Sequence, residues 1–175
     1  MFIDIYTNNL RFNMHCNEYK MIWLLEGEKI QKAFSKIIGL EFKEDVIKLL
    51  INEGLNGSNS AGDSVTSIMN FRYNNRCKIG TFLHELSHRI ALEYNMFEIS
   101  QQLYGFVEIH ELLDLFLYDV IKELYGQEAA DLRVEYESGF QEPEYARGWE
   151  KTLKLTFEER QNLLKKIVEV IKNEK

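Results

Sequence analysis

The chain has 175 residues, 45% hydrophobic and 13% aromatic, with a formal net charge of −7. That length and apolar content suit one domain over 1–175 with a real core, and they exclude a disordered chain. The acidic balance argues against nucleic acid as a partner, because phosphate binding needs a basic face. No apolar run approaches membrane-spanning length, and residues 1–6 have neither the basic region nor the apolar core of a signal peptide. Cys16 and Cys77 form no CxxC, so thiols in a reducing compartment, the cytoplasm, are expected.

Residues 1–6 alternate apolar and polar positions and predict a short strand or extended arm. His15 and Cys16 follow in a polar stretch, where a lone histidine reads as a surface residue. Over 18–38, Ile22, Trp23, Ile30, Phe34, Ile37 and Ile38 recur at helical spacing and Gly39 ends the run, which predicts a packing helix. The compact β-branched run 46–51 predicts a strand. Residues 52–64, rich in Gly, Asn and Ser, lack the Gly-Lys-Ser/Thr ending of a phosphate loop and read as a loop, a candidate substrate lid. Residues 65–73 predict a further strand, closed by an Asn-Asn turn.

A helix is expected over 80–94, a turn over 95–102, and a long helix over 103–125 closed by Gly126. The stripe of that long helix is Ile109, Leu112, Leu113, Phe116, Leu117, Val120, Ile121 and Leu124. Residues 131–138 read as charged helix, and 139–148, with the chain's one proline at Pro143, as a loop ending in a helix start. Thr156-x-x-Glu159 is a capping box that opens an amphipathic terminal helix. The expected class is therefore α+β, mostly helical, with a small sheet ahead of the 80–94 helix.

That helix carries His84-Glu85-x-x-His88. On a helix, positions i and i+4 share a face, so both imidazoles can reach one ion. Glu85 stands about 100° round the helix, where it reaches a water on that ion but is badly placed as a ligand. Two nitrogens to hold the metal and one carboxylate to take a proton from water is the division of labour of a hydrolytic Zn2+ site. Phe82, Leu83, Leu86, Ile90 and Ala91 make the helix largely buried. The competing reading is an ordinary amphipathic helix whose histidines make hydrogen bonds.

Such a site takes a third protein ligand, and the 103–125 helix offers Glu108, His110, Glu111, Asp114 and Asp119. Measured from the middle of its stripe, His110 lies at about 70°, Asp114 at about 110°, Glu111 at about 170° and Glu108 at about −130°. A ligand looks inward from the edge of the packed face, which favours His84, His88 and His110 as the metal set. Glu111 comes next, and Glu137 is a more distant option. Asp114, four residues after His110, is placed to accept the other ring N–H.

The segment 81–90 resembles the active-site helix of the zincin-type zinc metallopeptidases, and only that segment carries the likeness. Arg89 departs from the strict family pattern, which prefers an uncharged residue there. More loosely, His84–His88 followed by His110, Tyr118-Asp119-Val120, Leu124-Tyr125-Gly126 and the 145–149 stretch is similar to small metallopeptidase-like domains of bacteria and their phages. The resemblance implies a zincin-like fold and a peptide or protein substrate laid along the 65–73 strand by β-augmentation. In zincins of the glutamate type the third ligand is a Glu on a downstream helix.

In the expected chemistry Glu85 accepts a proton from the attacking water and delivers it to the leaving amine, with Tyr104 or Tyr118 as candidate phenols for the oxyanion. Three functions compete on these residues: a zinc peptidase, a zinc hydrolase of another amide, and a non-catalytic protein-interaction module that keeps the motif helix as core.

Overall fold

A computed structural model of the chain describes residues 1–52, 68–72 and 77–173. The class is α+β and mostly helical. The strands are β1 (Phe2–Tyr6), β2 (Val46–Asn52) and β3 (Ile68–Arg72). The α-helices, after a 3-10 turn at Leu10–Phe12, are α1 (Asn13–Ile38), α2 (Lys78–Glu93), α3 (Met96–Tyr104), α4 (Ile109–Tyr125), α5 (Gln127–Ser138), α6 (Pro143–Leu153) and α7 (Phe157–Asn173). They form two compact units, Met1–Gln31 with Phe42–Glu93, and Lys32–Glu41 with Tyr94–Lys175. No helix among the described residues is long and apolar enough to cross a membrane.

The first unit is built on a three-stranded, wholly parallel sheet in the order β1-β2-β3. Parallel strands need a long crossover, and α1 supplies the one between β1 and β2. The period-2 pattern of the two strands sorts their side chains: Ile3, Ile5, Ile47, Leu49 and Ile51 are buried, while Asp4 and Lys48 stand opposite one another on the exposed face. Where α1 meets α2, Phe82 packs at a tilt against Tyr19 and flat on Trp23, with ring centroids 5.9 and 5.6 Å apart. Trp23 in turn lies over Gly27, where a Cβ would come within 2.8 Å of the indole.

The second unit is built around α4. Every residue from His110 to Ile121 is buried, so this stretch of the helix has no solvent face. α5, α6 and α7 pack on it, and Phe34 from the end of α1 meets Phe116 at 6.3 Å. Arg160 of α7 forks onto Asp119 of α4 at 3.0 and 2.7 Å, both side chains buried. The Thr156–Glu159 capping box forms as its sequence predicts: Thr156 Oγ1 accepts from Glu159 N–H, and the Glu159 carboxylate accepts from Thr156 N–H.

Several expectations change. The 103–125 helix is two helices. Gly105 caps α3 with φ +67°, a conformation side chains resist, and the chain re-enters helix only at Ile109. The 95–102 turn is therefore mostly α3. α1 starts at Asn13, which places His15 and Cys16 on its first turns instead of in a separate polar stretch. The 139–148 loop is partly helix, because Pro143 sits at the start of α6. The candidate lid over 53–64, the strand positions 65–67 and 73, and the Asn-Asn turn lie outside the described residues.

Candidate metal centre

α2 forms because 81–93 holds no glycine or proline and repeats apolar residues at helical spacing; Phe82, Leu83, Leu86, Ile90 and Ala91 are all buried. Small Gly80, Thr81 and Ser87 are buried too, and Ser87 Oγ donates back to Leu83 O at 2.9 Å. The helix sets His84 and His88 one turn apart with their Nε2 atoms 3.2 Å from each other and their ring centroids 4.9 Å apart. His84 is 4% exposed and Glu85 3%.

A separation of 3.2 Å tests whether the pair fits an ion. Two nitrogens bound at 2.0–2.1 Å on a tetrahedral centre stand about 3.3 Å apart. The observed spacing fits that bite, and it equally fits a hydrogen bond between the two rings.

Arg89, the departure from the zincin pattern, is explained by packing. It is 2% exposed and its Nε and Nη2 both bond the Glu44 carboxylate ahead of β2. At the helix end Glu93 accepts from Lys43 N–H at 2.8 Å and faces Glu44. Burial, with Glu44's negative charge beside it, pushes the Glu93 carboxyl up to about 7. The charged residue after His88 thus ties the motif helix to the segment before the strand.

In the second unit His110 opens α4 and is buried. Its imidazole lies 4.1 Å from the Tyr145 ring, tilted by 36°. Behind it, α6 crosses α4 at Gly148: a Cβ there would meet Asp114 Oδ2 at 2.5 Å and His110 C and Cβ at 3.2 and 3.3 Å. Asp114 is 1% exposed, and its Oδ2 has no hydrogen-bond partner among the described residues. Burial holds its carboxyl well above the usual range, the negative Glu137 adding to the shift and Arg133 opposing it.

The other acidic candidates are engaged. The Glu111 carboxylate accepts from Val107 N–H at 3.3 Å at the start of α4 and pairs with Lys151. Glu108 pairs with Arg147, and Asp119 with Arg160. Glu137, fully buried, accepts from Arg133 and, at 2.8 Å, from Trp149 Nε1. The phenols are committed as well: Tyr104 donates to Leu163 O at 3.1 Å, and Tyr118 to Asp131 at 2.7 Å. Helical phase alone does not separate the candidates, because Glu111, at about 170° from the stripe, is as buried as His110.

Tyr145, Gly148 and Trp149 enter the sequence pattern only through the looser 145–149 resemblance, because 139–148 reads as a loop. Pro143 followed by Glu144 is the helix-start signal that could have placed them. Comparison with known proteins gives no match: no family model fits the chain, and no curated protein or solved structure matches it.

Proposed function

We propose that this chain is a zinc-dependent hydrolase, a peptidase of zincin-like design, in which His84, His88 and His110 hold the ion and Glu85 is the catalytic carboxylate. One observation carries the reading: a buried and a half-buried imidazole on one face of a helix, their nitrogens 3.2 Å apart, a spacing that fits the bite of a tetrahedral ion, with a buried glutamate directly after the first. Among the described residues these three histidines are a donor set compatible with one metal ion. His110 is preferred to Glu111 because the latter carboxylate already serves Val107 and Lys151.

A bound divalent zinc supplies Lewis acidity, polarising a carbonyl and making water more acidic. The protein does the rest. Glu85 takes the proton of the attacking water on its carboxylate and passes it to the leaving amine. Low exposure of Glu85 and His84 keeps bulk water from competing. The proposal sets this reaction in the cytoplasm, with a peptide or protein as substrate.

The test is Glu85→Gln. A chain that binds about one zinc and cleaves peptide, against a variant that keeps the zinc and loses cleavage by at least about a hundredfold, supports the scheme. Full activity in the variant removes it.

A second reading, an interaction module without catalysis, draws on the apolar residues that α1 and the preceding turn leave in solvent: Leu10, Met14, Met21, Leu24 and Leu25. Metal analysis separates the two, since a module that keeps the motif as core binds no zinc.

A further inference from the structure

The second unit carries a row of aromatic rings that starts on His110. Tyr145 lies against the imidazole at 4.1 Å, Phe140 meets Tyr145 edge-on at 5.0 Å, and Tyr136 meets Phe140 edge-on at 5.1 Å. The Arg133 guanidinium lies 5.5 Å from the far ring, Tyr136. We propose that this row is the specificity subsite of the hydrolase, a shelf for a large apolar or aromatic substrate side chain next to the scissile bond. The inference rests on the metal reading above.

Three features set the row apart from ordinary packing. Trp149, which joins α5 to α6, is fully buried, whereas Tyr136 is 42% exposed and Phe140 and Tyr145 are half-buried. The row is also held in place before any ligand arrives. Phe140 N–H donates to Glu137 O at 3.0 Å where α5 ends, and Trp149 of α6 donates to the buried Glu137 side chain, clamping α6 to α5. Its near end, moreover, lies at the proposed metal: a substrate whose carbonyl sits at His110 has one side chain within reach of Tyr145, the ring 4.1 Å from that imidazole.

Aromatic rings prefer edge-to-face or offset partners, and each exposed ring edge and face here offers that geometry to a further ring.

The probes are the hydroxamates of phenylalanine and of alanine, which share a metal-binding head and differ in one ring. Titrated by calorimetry into the zinc-loaded full chain, the phenylalanine compound is expected to bind at least about tenfold more tightly. Tyr136→Ala and Phe140→Ala should each bring that ratio toward one, with Tyr136, the more exposed, deciding if the Phe140 variant fails to fold. Equal affinity of the two hydroxamates for the wild-type chain, or an undiminished ratio in Tyr136→Ala, overturns the shelf and leaves the metal centre standing. A chain that retains no zinc overturns both.

Discussion

Gly148→Ala is the most informative substitution this fold offers. In the interior of a helix, exchange of glycine for alanine ordinarily stabilises by about 1 kcal/mol, because glycine gives up more backbone freedom on folding. Gly148 lies in the middle of α6, so propensity alone predicts a gain. The packing predicts the opposite. The new methyl would stand 2.5 Å from Asp114 Oδ2, about 1 Å inside an ordinary contact, with the His110 backbone at 3.2 Å behind it. Asp114 is 1% exposed and has a short side chain, so it has nowhere to swing. Relief must come from moving α6 off α4. Overpacking of this kind costs about 1–3 kcal/mol, and subtracting the propensity gain leaves a net destabilisation of up to roughly 2 kcal/mol. The same displacement moves the turn that carries His110, so zinc affinity should fall by an order of magnitude or more. Urea denaturation of the two chains and competition with a chromogenic chelator give both quantities. A variant more stable than its parent by about 1 kcal/mol, with unchanged zinc affinity, would refute the close approach and the role given to His110 together.

Two further outcomes follow from the motif helix. Glu93 titrates at about 7, above its ordinary value of 4.5, so the folded chain holds its proton more tightly than the unfolded one. Its contribution to stability is complete below about pH 4.5 and is lost as pH rises through 7. The ceiling is about 3 kcal/mol, and partial exposure reduces it to roughly 1 kcal/mol. Thermal melting from pH 5 to 8 should show this fall, and Glu93→Gln should flatten it; a parallel pH profile in the variant would show that another group is responsible. Arg89→Ala leaves the Glu44 carboxylate without its main partner, and breaking such a pair costs about 3–5 kcal/mol when both ends are buried. With Glu44 17% exposed, roughly 2–4 kcal/mol is expected. The double variant Arg89→Met with Glu44→Gln should recover most of that in urea, and a single variant costing under 1 kcal/mol would mean that the ion pair holds nothing together.

The parts of the fold readable from the sequence are those whose pattern is set locally. β1 and β2 alternate, α2 repeats its apolar residues every third or fourth position, and the Thr156 box names its own helix start. The helix break at 105–108 was hidden because apolar spacing runs on through Phe106 and Val107 while one glycine turns the backbone aside. α6 was hidden for a related reason: what buries it is Gly148 and Trp149, a gap and a ring that acquire meaning only against Asp114 and Glu137. The histidine pair was legible because helical geometry alone fixes it. The third ligand was ranked by helical phase, which carries information only for a helix with an outside. α4 has none between 110 and 121, so the choice turns on which carboxylates are already engaged, and partners are not written in spacing.

Among the described residues the sheet of the first unit has no hairpin. β1 pairs with β2 across the whole of α1, Phe2 meeting Val46, and β3 joins only later, Ile68 meeting Lys48. No strand can therefore find its neighbour by a short search, and each pairing waits on closure of a long loop. A ribosome delivering this chain from its amino end must release β1 well before its partner exists. The motif helix emerges after all three described strands, and that order makes the histidine pair one of the last features of its unit to be assembled.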